Sequence, residues 1–117
     1  MEIKISGKNR KMLFNIGFIR RLDELHSVKV DAVGIDLRFG AGLLSANSQL
    51  AQYSPVMLSD VVQAATDCTR AQGDKAVEDY ADEHGSLDGL FKGVAEELKK
   101  SPVVKTTLEK MAELEAI

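Results

Sequence analysis

Along the first fourteen residues the chain alternates. Ile3 and Ile5 alternate with Glu2 and Lys4, and Met12 and Phe14 alternate with Lys11 and Leu13. A period of two on either side of Ser6-Gly7-Lys8-Asn9 predicts a β-hairpin. A lone hairpin is marginal in water, so this one must lie on helices or lend an edge to another chain. The period then lengthens. Phe18, Leu22 and Leu25, with Ile19 beside them, oppose Arg20, Arg21, Asp23 and Glu24. That spacing predicts an amphipathic helix over 15–26, with Asn15 as its N-cap. Gly17 is expected to permit close packing against the hairpin.

Residues 27–42 carry a weaker pattern. Val28, Val30 and Ala32 alternate with Lys29 and Asp31, which suits a short strand or an extended linker. A helix bearing Leu43, Leu44 and Leu50 is predicted from Leu37 or Gly42 to Tyr53. Gly40 and Gly42 weaken its start by ~1 kcal/mol each relative to Ala, which predicts mobility there. Ser54-Pro55 is a strong helix start, with Ser at the N-cap and Pro at the first helical position. Leu58, Val61, Val62, Ala65 and Cys68 then mark a buried stripe. Residues 70–73 read as a connection, and Asp74 as the cap of a short helix to His84 with Val77 and Tyr80 inward. Gly85 stops it and Ser86 can cap the next. Leu87, Leu90, Phe91, Val94 and Leu98 form the cleanest helical stripe, with Leu22 and Val61 as expected core neighbours. Gly89 and Gly93 lie four apart on a helix too polar for a membrane, so they are expected to serve close packing in a soluble core. Ser101-Pro102 repeats the cap-and-proline start; Val104, Leu108 and Met111 follow at helical spacing, then Leu114 or Glu115. The expected fold is α+β and mostly α-helical. A hairpin over 1–14 precedes about five helices in a small bundle over 15–117, all in a single domain.

Composition narrows this picture. The 117 residues include no Trp and few aromatics, so the core must be aliphatic. Cys68 is the sole cysteine, which excludes an intramolecular disulfide and disfavours a thiolate metal cluster. The start MEIKIS lacks the apolar segment of a signal peptide, and no apolar run approaches the ~20 residues of a membrane span. A soluble, intracellular protein is expected.

Charge is uneven. Residues 1–38 hold eight Lys/Arg and five Asp/Glu, net +3; residues 74–100 hold four Lys and eight Asp/Glu, net −4. One reading is two solvated faces. The sharper reading is weak, head-to-tail self-association, with Lys8, Arg10 and Lys11 of one copy against Glu78, Asp79, Asp82 and Glu83 of another. The overall charge of −3 and the lack of an aromatic platform beside the hairpin cations argue against nucleic acid.

No catalytic constellation emerges. His26 and His84 lack ligands at metal-binding spacings, and each falls near a predicted helix C-terminus, where a cation is favourable. Cys68 has neither a basic neighbour nor a helix N-terminus to activate it, and reads as a small buried hydrophobe. The run from Glu78 to Glu83 lacks the alternating ligands and central Gly of a calcium loop. Gly34, Gly40 and Gly42 form no phosphate-binding motif. No enzyme activity and no metal, nucleotide or covalent cofactor is expected.

The opening resembles tail assembly chaperones of long-tailed bacteriophages infecting Gram-positive hosts. That family begins with a hairpin of the form I-x-I-x-G-K and runs into F-x-x-G-F-x-R-x-L. Here the matching residues are Ile3, Ile5, Gly7, Lys8, Phe14, Gly17, Phe18, Arg20 or Arg21, and Leu22. Glu97-Leu98-Lys99-Lys100-Ser101-Pro102 resembles the family's E-L-K-K-S-P, and Leu58, Val61 and Ala64 its L-x-x-V-x-x-A. Residues 28–53 and 66–85 carry little of the pattern, and Thr66-Asp67-Cys68-Thr69 stands where the family often has an aromatic. The resemblance implies a non-enzymatic protein that coats the helical tape measure protein, keeps it soluble and recruits the major tail tube protein. It implies action in the host cytoplasm and absence from the finished virion. The rival class is a small intracellular regulatory or adaptor module.

Overall fold

The computed structural model describes residues 1–26, 28–30, 35–37 and 41–115, with side chains for 1–26 and 42–110. The chain runs β1 (Glu2–Ile5), β2 (Lys8–Lys11), α1 (Ile16–Leu25), β3 (Val28–Val30), β4 (Ile35–Leu37), α2 (Ala41–Ala51), α3 (Pro55–Thr66), α4 (Arg70–His84), α5 (Asp88–Lys100) and α6 (Pro102–Glu115). The α+β expectation therefore holds, with six helices among the described residues where about five were expected. β1 and β2 pair antiparallel with Ile5 opposite Lys8 and Glu2 opposite Lys11. Ser6 and Gly7 close the hairpin with φ of 52° and 81°. Two positive φ values in succession make the tight turn whose twist matches its strands. Ile3 and Ile5 are buried while Glu2 and Lys4 are exposed, so one face of the ribbon lies on the helices. The extended stretch after α1 includes a second antiparallel pair, Val28 opposite Leu37. The mobility expected at 27–42 falls largely outside the described residues, as do the side chains of Met111, Leu114 and Glu115.

The architecture is organised around α3. Ser54 caps it by accepting from Met57 N–H at 3.2 Å, as its sequence predicts. From Met57 to Thr66 every residue except Asp60 is buried, so the predicted single stripe is in fact a helix enclosed by α1, α2, α4 and β2. Its buried polar side chains have partners. Ser59 donates to Asp74, Gln63 donates to Ser59 at 3.4 Å, and Thr66 donates to the Val62 carbonyl at 2.7 Å. The last carbonyls of a helix lack intrahelical donors, and here each finds one. Gln63 O accepts from Asp67 N–H. Ala64 O accepts from Arg21 Nε at 2.7 Å, Ala65 O from Leu13 N–H at 2.9 Å, and Thr66 O from the Arg10 guanidinium. Two cations at this end also suit the helix dipole.

Several sequence expectations are corrected. Cys68 does not extend the α3 stripe; the helix stops at Asp67, which is left-handed at φ 55°, and Cys68 follows it half-buried. Residues 70–73 are helical, because Thr69 and Gln72 form a capping box that starts α4 earlier than Asp74 would. Gly73 there is a packing residue. A Cβ on it would sit 2.6 Å from Gln63 Cγ of α3. Gly17 does not open space for the hairpin; a Cβ there would meet Arg21 and Asn15. The close approach lies instead at Gly42, where a Cβ would stand 2.5 Å from the backbone of Leu22. Asn15 caps α1 through Phe18 N–H at 3.0 Å, and Gly85 ends α4 at φ 76°, both as predicted. Ser86 accepts from Asp88 N–H at 3.4 Å, but the residue at the N-cap is Leu87. Ser101 does double duty: it accepts from Val104 N–H at 3.4 Å and donates to the Phe14 carbonyl at 2.7 Å, tying the α5–α6 junction to the end of the hairpin.

Arg20 is exposed and Arg21 is half-buried on the α3 terminus. Arg21→Ala leaves a partly buried carbonyl short of a donor and should cost about 1–3 kcal/mol in urea unfolding. Arg20→Ala should stay within about 0.5 kcal/mol of wild type. Equal losses from the two would remove the capping role.

Candidate functional site

Two surfaces stand out. The first is a cleft of about 730 Å³ between β1 and α4, lined by Glu2, Lys4 and Asn9 on the hairpin and by Asp79, Tyr80, Asp82 and Glu83 on the helix. It gathers three of the four carboxylates singled out in the sequence; Glu78 is exposed on α4 outside the lining. Lys75 binds Asp79 at 3.0 Å, and that hydrogen bond and charge raise the Lys75 pKa above its ordinary value. The cations take different roles. Lys8 and Lys11 are exposed on β2, while Arg10 is committed to the Thr66 carbonyl and half-buried. The basic and acidic groups therefore sit on neighbouring elements of one molecule.

The second surface was not visible as a unit in the sequence. α2, α5 and α6 leave a groove of about 550 Å³ between them. Leu50, Ala51, Phe91, Ala95, Leu98 and Leu108 give it an apolar lining; Lys92 and Lys99 stand at its edge. A second hollow of about 460 Å³, lined by Lys99, Lys105, Leu108 and Glu109, shares Lys99 and Leu108 with it. Tyr53 stands at the groove, 68% exposed, with its ring edge-on to Phe91 at 5.5 Å between centroids. The α5 stripe is correspondingly asymmetric. Leu90, Val94 and Leu98 are buried with Leu22 and Val61 in one cluster, but Phe91, expected among them, is half-buried because it faces this opening.

A family model described as phage tail assembly chaperone protein, TAC, matches residues 2–113. The chain belongs to that family. Neither a curated protein nor a solved structure matches it significantly.

Within this chaperone, the residues that carry the family resemblance are those that build the fold. Ile3, Ile5, Phe18 and Leu22 are core residues, Gly7 turns the hairpin, and Phe14 packs edge-on against Phe18 at 5.0 Å. Of the two arginines that fit the motif, Arg21 makes the buried contact. The two histidines have structural partners. His26 ends α1 and binds Asp60 of α3 at 2.9 Å, and His84 stacks on Tyr80 at 3.9 Å while bonding its carbonyl oxygen at 3.0 Å. Among the described residues no group of three or more His, Cys, Asp or Glu is arranged to hold a metal, and no helix is long and apolar enough to cross a membrane. Gly89 and Gly93, expected to serve close packing in the core, lie outside it: Gly89 is exposed and Gly93 half-buried, and a Cβ on them would meet only the ends of the Tyr80 and Met1 side chains.

The two phenylalanines should separate core from groove. Phe18 is fully buried, so Phe18→Ala should cost about 3–5 kcal/mol. Half-buried Phe91 should lose about 1–2 kcal/mol on the same change, in proportion to the smaller area it withdraws from water. Equal losses in urea unfolding would place Phe91 in the core after all.

Proposed function

We propose that this chaperone is non-enzymatic and that it binds the tape measure protein of a long-tailed phage or prophage of a Gram-positive host. It keeps that long helical client soluble and promotes assembly of the tail tube around it, meeting the major tail tube protein as it does so. It works in the host cytoplasm and leaves before the virion is complete. The observation that carries this reading is the open apolar groove between α2, α5 and α6, on a chain of this family. A helix laid in an apolar groove is a common mode of recognition. The test is co-expression with a tape measure protein of such a phage. The client should move from the insoluble to the soluble fraction and co-purify with the chaperone. A client that stays insoluble would leave a regulatory or adaptor role as the better reading.

Self-association belongs to the same proposal, supported by the exposed Lys8 and Lys11 of β2 and by the carboxylates of α4. Because these patches are neighbours, two copies can satisfy both at once about a two-fold axis, or pair head-to-tail in an open series. Sedimentation velocity over a concentration series should show reversible oligomers that weaken at raised salt, since exposed charges are screened over about 8–10 Å at physiological ionic strength. A series that stops at the dimer selects the two-fold contact. Lys8→Glu with Lys11→Glu should weaken association without unfolding the chain, and a monomer throughout would refute it.

A further inference from the structure

Resting on the chaperone reading, we infer that the groove between α2, α5 and α6 takes a client segment that is helical, about three turns long, and flanked by carboxylates along its apolar stripe. Length comes first. α5 lines the groove with Asp88, Phe91, Lys92, Ala95, Leu98 and Lys99. These positions share one helical face, and the eleven steps from the first to the last span about 17 Å. That matches about three turns of a partner helix laid alongside, with apolar residues at i, i+3 or i+4, i+7 and i+11.

Conformation follows from the lining. An extended segment would press unpaired backbone N–H and C=O groups onto Leu50, Ala95, Leu98 and Leu108, and polar groups buried without partners are costly. A helix satisfies its backbone internally and presents only side chains. The charge of the rim sets the flanks. Lys92 and Lys99 are exposed, and neither has an ion pair among the described residues; Lys105 at the adjoining hollow is held 4.0 Å from Glu109. Among the described residues Asp88 is the sole carboxylate lining the main groove. In a chain of net charge −3 this rim is locally basic, so it favours Asp or Glu beside the stripe and disfavours Lys.

Tyr53 is the anchor. Its backbone is left-handed at φ 57° at the end of α2, a position where Gly or Asn is usual. A Cβ is unfavourable in that conformation, and the ring is mostly exposed with Phe91 as its edge-on neighbour, so backbone strain offsets what that contact contributes to the fold. A rigid aromatic at the mouth of an apolar groove supplies large contact area at low entropic cost.

Two fluorescent 18-residue peptides provide the test. Both carry a Leu stripe at the spacing above on an Ala-rich helix; one has Glu at the flanking positions, the other Lys. Anisotropy titration should show the Glu peptide binding at least tenfold tighter than the Lys peptide, with the difference shrinking at raised salt. Lys92→Glu with Lys99→Glu should invert the preference. Tyr53→Gly should weaken binding of the Glu peptide about tenfold while leaving the thermal midpoint unchanged or raised, an outcome that a merely structural tyrosine would not give. No binding, equal binding of the two peptides, or a Tyr53→Gly loss that tracks unfolding would overturn the assignment. Co-expression separates this from the chaperone reading itself. If wild type solubilises the tape measure protein and the groove variants do so equally well, the groove falls and the chaperone stands. If the groove variants instead abolish self-association in sedimentation while client solubility is kept, the occupant is a second copy and the assignment falls.

Discussion

A helix buried on nearly every side has to find donors for its last carbonyls, and that need organises this molecule. At the end of α3 three donors outside the helix converge: Arg10 from the hairpin, the Leu13 N–H from the segment that follows it, and Arg21 from α1. A hydrogen bond contributes little net stability when made but costs more when a buried group is left without one. The hairpin cannot slide on the bundle without orphaning Thr66 O and Ala65 O, and α1 cannot rotate without releasing Ala64 O. The hairpin and α1 are thus registered against a single helix end. Asp60 extends the same tie by holding His26 at the close of α1.

This also explains how much was legible in the sequence. Local signals were read well where the chemistry is local: the alternation of Ile3 and Ile5, Asn15 and Ser54 as caps, Gly85 as a stop. They failed where a distant partner decides. Gly at 73 looks like part of a connection, yet it stands inside α4, and it is Gly because Gln63 of α3 occupies the space a Cβ would need. Gly42 carries the close helix approach that Gly17 was expected to make, because its opposite surface is the backbone of Leu22, twenty residues earlier. Arg10 looked like a free surface cation, and nothing nearby in sequence reveals that its partner is the Thr66 carbonyl. Phe91 fits the helical stripe by spacing but sits at its margin, where period alone cannot tell core from opening.

The candidate binding surface was the least legible part, for a related reason. The groove is made by three helices far apart in the chain, and its members are individually ordinary: Leu50 and Ala51 at the end of one helix, Ala95 and Leu98 within another, Leu108 in the last. Family resemblance touches it only at one corner, where Leu98 and Lys99 of the E-L-K-K-S-P match line it. Most other residues that match the family pattern build the hairpin turn, the core and the α3 cap, so they report how the chain folds. On the proposed reading, recognition of a client would rest on side chains whose identity the fold leaves free, as at Tyr53, whose left-handed backbone would accept glycine more readily.

A chaperone that must release its client faces a further constraint, which the arrangement of surfaces suits on the proposed reading. Association of its own copies draws on exposed charges at the hairpin and α4, which water and salt weaken. Client contact on that reading would draw on a groove only partly closed, whose aromatic Tyr53 rests on Phe91. That contact is a competitor: a client helix must improve on it to displace or extend it, so the net gain from occupying the groove is smaller than the apolar area alone would give. Binding costs for immobilised side chains and lost motion reduce it again. Many such modest contacts repeated along a long helical client would hold it firmly in sum, because neighbouring sites act on a tethered chain at high effective concentration. Each contact alone would remain weak enough to yield when tube subunits compete for the same length of helix.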